Sequence, residues 1–150
     1  MKLFFMILIM LITSITLVAL DMNIRREREV GELDIVNRTI PCFIALGINL
    51  LFGKYIEAII NPFTKRVHIV YKDNFHTMTT QSILYKHEYV HILQIKKLGW
   101  FKYIILYAIS RLRGYANSVY EKQAIRWQYK KEIDVGAIYQ EIDNKLMAYK

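Results

Sequence analysis

Apolar and polar positions divide the chain into three regimes. Residues 3–20, LFFMILIMLITSITLVAL, carry no charge and no polar stripe; only Thr13, Ser14 and Thr16 interrupt them. At a helical rise of about 1.5 Å per residue the run reaches roughly 27 Å, close to the thickness of a hydrocarbon core. It predicts an N-terminal hydrophobic helix, a transmembrane anchor or signal sequence over residues 1–22. The run is long for a signal peptide, and Leu17 stands where an A-x-A-like cleavage site needs a small residue, so a retained single-pass anchor is favoured. Lys2 precedes the run, whereas Arg25, Arg26 and Arg28 follow it, which favours a cytoplasmic location for the rest of the chain.

The second regime, residues 23–62, reads as a helical connector. Its first half is charged and solvated. Its second half, IPCFIALGINLLFGKYIEAIINPF, is apolar enough to pack against the rest of the domain or to lie in the membrane interface, with Pro41 suited to a helix start and Asn61-Pro62 to its end. Lys54 and Glu57 argue against a second full span.

The third regime, residues 63–150, has the patterning of a small, mainly α domain with a minor β part. KRVHIVYK is rich in β-branched residues and predicts a strand. DNFHTMTT reads as a polar loop whose Thr79 or Thr80 caps a helix that runs to Leu98 and stops at Gly99. FKYIILYAISRLR predicts a further helix ending before Gly114. Another starts near Asn117-Ser118 and is broken at Gly136, followed by a short terminal helix. The coarse order is anchor, helix, strand, then three or four helices.

Charge and cysteine content narrow the function classes. The net charge is +8, but the basic residues are scattered, with no run of five, no aromatic RNA-binding strand and no Cys/His finger spacing. A nucleic-acid module is therefore not expected, and a basic surface beside an anionic membrane accounts for the charge. The single Cys42 cannot form an internal disulfide.

The chemistry concentrates in LYKHEYVHILQIKKLGW, residues 84–100. On a helix His87 and His91 lie one turn apart on one face, where both can point at one metal ion. Glu88 is rotated about 100° from His87, beside the metal rather than on it, where it can take a proton from water. Gln94 follows His87 by seven residues on nearly the same face and can support a ligand or a bound substrate. With four histidines and eight glutamates in the chain, random ordering yields this H-E-x-x-H pattern only about four times in a thousand. The competing reading is an amphipathic helix with two satisfied histidines, but such a helix has no need of His, His and Gln on one stripe.

A catalytic site needs a third protein ligand and an open position. Glu121, in GYANSVYEKQA, heads the candidates ahead of Glu132, Asp134, Glu141 and Asp143, with Ala124 one turn on and small enough for close helix approach. His68 and His76 are rivals. Glu121 also completes a capping box with Ser118, in which it would bond the Ser118 amide instead of a metal.

The segments HEYVHILQIKKLGW and GYANSVYEKQA together resemble small gluzincin-type zinc metallopeptidases, whose minimal domains read HExxHxxQ followed by an E-x-x-A helix. The resemblance covers residues 64–130. It implies a zincin-like α+β catalytic domain in which an active-site HExxH helix packs against a glutamate-bearing helix beside a small β element. It further implies Zn²⁺ held by His87, His91 and Glu121, with Glu88 as general base in the hydrolysis of a peptide or protein substrate. The chain departs from the larger members in having only one clear strand and no His or Arg placed to stabilise an oxyanion; Tyr115 and Tyr120 are the available substitutes. The alternative is a non-catalytic membrane protein whose zinc is structural or whose role is to bind a membrane partner.

Overall fold

The computed structural model describes residues 28–37, 57–70, 72–111 and 118–147, together with nine positions between residues 4 and 19. These nine, Phe4, Phe5, Leu8, Leu11, Ile12, Ile15, Thr16, Val18 and Ala19, are helical. Among the described residues no helix is long and apolar enough to cross a membrane. Most of the apolar segment 40–63 lies outside the described residues, as do Cys42 and Tyr115.

Four short strands form one mixed sheet: β1 (Arg28–Val30), β2 (Leu33–Asn37), β3 (Ala58–Ile60) and β4 (Val67–Ile69). The order is β1-β2-β4-β3, with β2 parallel to β4 and the other pairs antiparallel. Five helices follow: α1 (Lys72–Thr77), α2 (Ile83–Leu98), α3 (Trp100–Arg111), α4 (Val119–Gln128) and α5 (Val135–Met147). The mainly helical α+β class expected from the sequence is the class observed.

The sheet corrects the reading of the connector. Residues 28–37 form a β-hairpin, where a partly helical segment was expected. Gly31 turns it at φ 55°, a left-handed conformation that a side chain strains. A Cβ there would also collide with Tyr85 Oη, and Tyr85 Oη in turn accepts the Glu32 N–H at 3.3 Å. The hairpin tip is thereby seated on the first turns of α2. The tail of the apolar segment, Ala58–Ile60, is likewise a strand and not a helix end. Asn61 makes the difference: its side-chain Oδ1 accepts the Phe63 N–H at 3.0 Å, and its own N–H donates to Arg66 O at 3.0 Å. This side-chain turn reverses the chain into β4.

Two helical assignments also change. The loop expected at DNFHTMTT contains α1, which buries Phe75 together with the adjoining Met78. The helix expected to run from Ser118 to Gly136 stops at Gln128, and Gly136 lies inside the first turn of α5. The restart is set by Asp134, whose Oδ1 accepts the Ala137 N–H at 3.0 Å.

Helix α2 is the centre of the molecule. It starts at Ser82, rather than at Thr79 or Thr80, with Ser82 Oγ accepting the Tyr85 N–H at 3.2 Å. It stops where expected, at Gly99, whose φ of 76° lets its N–H bond Ile95 O. All residues from Glu88 to Ile95 are buried, as expected of a helix covered on every side. Val30, Leu33, Ile35, Val67 and Ile69 from the sheet, Tyr103 from α3, Ala124 from α4 and Ile138 and Ile142 from α5 share one core with Val90, Ile92, Leu93 and Ile95. Each such aliphatic side chain contributes about 1.5–3 kcal/mol on burial. This packing makes α2 a rigid mount for whatever its polar side chains do.

Candidate metal centre

Helix α4 is the main helical neighbour of α2. Ala124 is fully buried on it, the small contact residue anticipated one turn beyond Glu121. Lys86 adds a polar lock: its buried Nζ donates to the carbonyls of Lys130 and Lys131 at 2.8 and 3.2 Å, closing the turn after α4. The lock sits one residue before His87.

Across this helix pair three donor atoms converge. His87 Nε2 and His91 Nε2 are 3.2 Å apart, and Glu121 Oε2 lies 3.4 Å from the first and 3.6 Å from the second. A tetrahedral ion with bonds of about 2.0–2.1 Å holds its ligand atoms about 3.3 Å from one another. The triangle fits one such ion. Glu121 Oε2 is buried and accepts no hydrogen bond, an arrangement that costs free energy unless a cation completes it. Among the described residues this is the one group of three His, Cys, Asp or Glu side chains able to hold a metal.

The remaining polar atoms hold these ligands in place. His87 Nδ1 is 2.9 Å from Gln128 Oε1, and His91 Nδ1 is 2.8 Å from Gln94 Oε1. Each imidazole therefore turns its Nδ1 side to an amide and leaves Nε2 facing the shared point. Tyr107 donates its hydroxyl to Glu121 Oε1, so that carboxylate keeps Oε2 for the histidines. Tyr103 Oη approaches His91 Nδ1 at 3.5 Å.

Electrostatics follow from burial and proximity in the metal-free protein. Burial by itself would depress the imidazole of His91, but the adjacent Glu121 carboxylate outweighs it and raises it to about 9. Burial would raise the Glu121 carboxyl; the charge of the adjacent His91, with His87 and the Tyr107 hydroxyl, prevails and holds it far below the usual carboxylate range. Glu88 is buried without such compensation, and desolvation pushes its carboxyl up, against the opposing pull of His87 and His91. A carboxyl shifted toward neutrality beside the His87, His91 and Glu121 cluster is suited to exchanging protons.

The capping-box reading of Glu121 is excluded by Ser118. Its side chain makes no cap bond to α4; its Oγ pairs with Ser110 Oγ at 2.7 Å. The rival ligands are not grouped with the triad. Asp134 caps α5, Asp143 pairs with Lys97 at 2.9 Å, and Glu141 pairs with Arg126. Glu132 and His76 are exposed, and His68 is buried in β4. Tyr120 packs its ring against Tyr103 and Tyr107, an arrangement that assigns it to the core. Gln128, Tyr107 and Tyr103 were not singled out from the sequence. Gln128 had a readable signal, since it follows Glu121 by seven residues as Gln94 follows His87; the tyrosines had none among 11 in the chain.

Comparison with protein-family models, with curated proteins and with solved structures returns no match to this chain.

Proposed function

We propose that the protein is a zinc-dependent peptidase, tethered to a membrane by residues 3–20, in which His87, His91 and Glu121 hold the metal and Glu88 is the general base. The observation that carries the reading is the triangle of 3.2, 3.4 and 3.6 Å between their donor atoms. Two imidazoles and one carboxylate suit Zn²⁺, and three protein ligands leave a tetrahedral ion one open position. Bound there, zinc supplies the Lewis acidity that polarises a scissile carbonyl and makes water a nucleophile near neutral pH. Glu88 takes the proton released by the attacking water and returns it to the leaving amine. Gln94 and Gln128 keep the imidazoles turned, and Tyr107 holds the free oxygen of Glu121.

The non-catalytic alternative draws on one observation, the near-complete burial of the ligands, with side-chain exposures of 13%, 6% and 3% for His87, His91 and Glu121. Glu88 separates the two. Glu88→Gln keeps shape and helix preference while removing the base, so fold and zinc content are retained. Hydrolysis of a broad peptide library falls by about 10²- to 10⁴-fold. Equal activity of zinc-loaded wild type and variant, or none in either, overturns the peptidase reading.

A further inference from the structure

Behind His91 a line of buried amides runs away from the metal centre. Gln94 is fully buried; its Oε1 faces His91 Nδ1 at 2.8 Å, and its Nε2 donates to Tyr120 O at 3.1 Å and Gln123 Oε1 at 3.0 Å. Gln123 is equally buried, and its Nε2 donates to Ile138 O at 3.2 Å and Glu141 Oε2 at 2.8 Å. Glu141, on α5, also receives Arg126 and lies 3.4 Å from Trp127 Nε1. Gln123 hydrogen-bonds to none of the three candidate ligands.

The polarity of this line is fixed by groups with no freedom of choice. A backbone carbonyl only accepts hydrogen bonds. Ile138 O and the Glu141 carboxylate therefore take the nitrogen of Gln123 and turn its oxygen toward Gln94. Tyr120 O and that oxygen both take the nitrogen of Gln94 and turn its oxygen toward His91. An oxygen facing Nδ1 requires a proton on Nδ1, which leaves the lone pair on Nε2. That is the atom facing His87 and Glu121. Reversing either amide would set like groups against each other at buried sites, at a cost of about 1–3 kcal/mol for each lost partner.

We infer that Gln123 is a positioning residue of the metal centre: acting through Gln94, it fixes the ring orientation and tautomer of His91 from the side of α5. The inference rests on the reading of His91 as a metal ligand through Nε2. It assigns to α4 two functions on two faces, a ligand at Glu121 and an orienting amide at Gln123.

Imidazole proton–nitrogen NMR of the full chain tests this, with His87, held by Gln128, as internal control. In zinc-loaded wild type, His91 carries a slowly exchanging proton on Nδ1. Gln123→Met removes the orienting amide; the His91 Nδ1 proton then exchanges faster, that of His87 is unchanged, and the zinc Kd rises about tenfold, at the low end for loss of a group that orients a ligand. Gln123→Glu still accepts from Gln94 but can donate neither to Ile138 O nor to Glu141, whose carboxylate it now faces. It therefore lowers thermal stability while preserving the His91 signal and most of the zinc affinity, an order that a merely structural role would reverse. An unchanged His91 proton and Kd in Gln123→Met overturn the inference. Should that variant not fold, an Nε2-protonated His91 in zinc-loaded wild type overturns it equally. Wild type that binds no zinc defeats the metal reading. The orienting role is then decided on the metal-free protein, by whether Gln123→Met does or does not loosen the His91 Nδ1 proton.

Discussion

Glu121 Oε2 stands 3.4 Å from His87 Nε2, across 34 positions of sequence, although Ser118 lies three residues before it in the spacing of a capping box. Ser118 instead bonds Ser110, which frees the carboxylate to turn inward. The two residues therefore separate on mutation. Glu121→Gln lowers zinc affinity by more than about 100-fold, beyond what loss of an orienting group costs, and also lowers the stability of the metal-free protein, because protonated His91 loses its carboxylate partner. Ser118→Ala loses a buried hydrogen bond worth about 1 kcal/mol and leaves zinc affinity unchanged. Metal titrations and thermal melts of the two variants check both halves.

The raised imidazole of His91 gives metal binding a definite pH dependence. At pH 7 the metal-free protein carries a proton there, since His91 titrates at about 9. Zinc must displace it, so binding releases about one proton per ion, and apparent affinity rises about tenfold per pH unit up to that value. Calorimetry in buffers of different ionisation enthalpy measures the proton directly. The same shift affects stability without metal. The contribution of protonated His91 is complete below its ordinary value and is lost as pH rises through about 9. The contribution of ionised Glu121, whose carboxyl is lowered, is present above the ordinary carboxylate value and is lost as pH falls.

Lys86 ties α2 to the turn that follows α4 through two carbonyls. Lys86→Met preserves its aliphatic stem and removes both charge-assisted bonds, which costs about 1.5–3 kcal/mol. Chemical denaturation measures the loss. Zinc binding to the folded fraction persists, because Lys86 touches no ligand atom.

The N-terminal run predicts membrane retention. The full chain stays in the membrane fraction through a carbonate wash, and a variant with three lysines placed among residues 8–15 does not. Release of the unaltered chain by carbonate would remove the anchor from the proposal.

The candidate metal centre was more legible in the sequence than the sheet that supports it. His87, Glu88, His91 and Gln94 are set by spacing on one helix, and helical spacing survives folding unchanged. Glu121 could be ranked first but not separated from its capping role, because only tertiary packing shows that Ser118 finds Ser110. The hairpin at 28–37 was hidden by its composition: Leu33 and Ile35 alternate over too few positions to stand out from the flanking RRERE charges, although Gly31-Glu32 is an acceptable two-residue turn. Helix α1 is six residues long, shorter than two turns, so its burial of Phe75 left no periodicity to read. The break between α4 and α5 carries neither Gly nor Pro, and Gly136 drew the prediction to the wrong position. Gln123 was out of reach, since its role depends on the carbonyl of Ile138, a backbone atom that no side-chain pattern announces.

If His87, His91 and Glu121 close around one metal ion, that ion has two imidazole ligands. Elemental analysis joined to X-ray absorption at the zinc edge reads this out, on wild type and on the His87→Ala, His91→Ala double variant purified in parallel. Wild type carries about one zinc per chain, with two imidazole nitrogens and oxygen donors at about 2.0–2.1 Å, and the double variant carries none. Stoichiometric zinc retained by the double variant, or a wild-type ion without imidazole ligands, would contradict it.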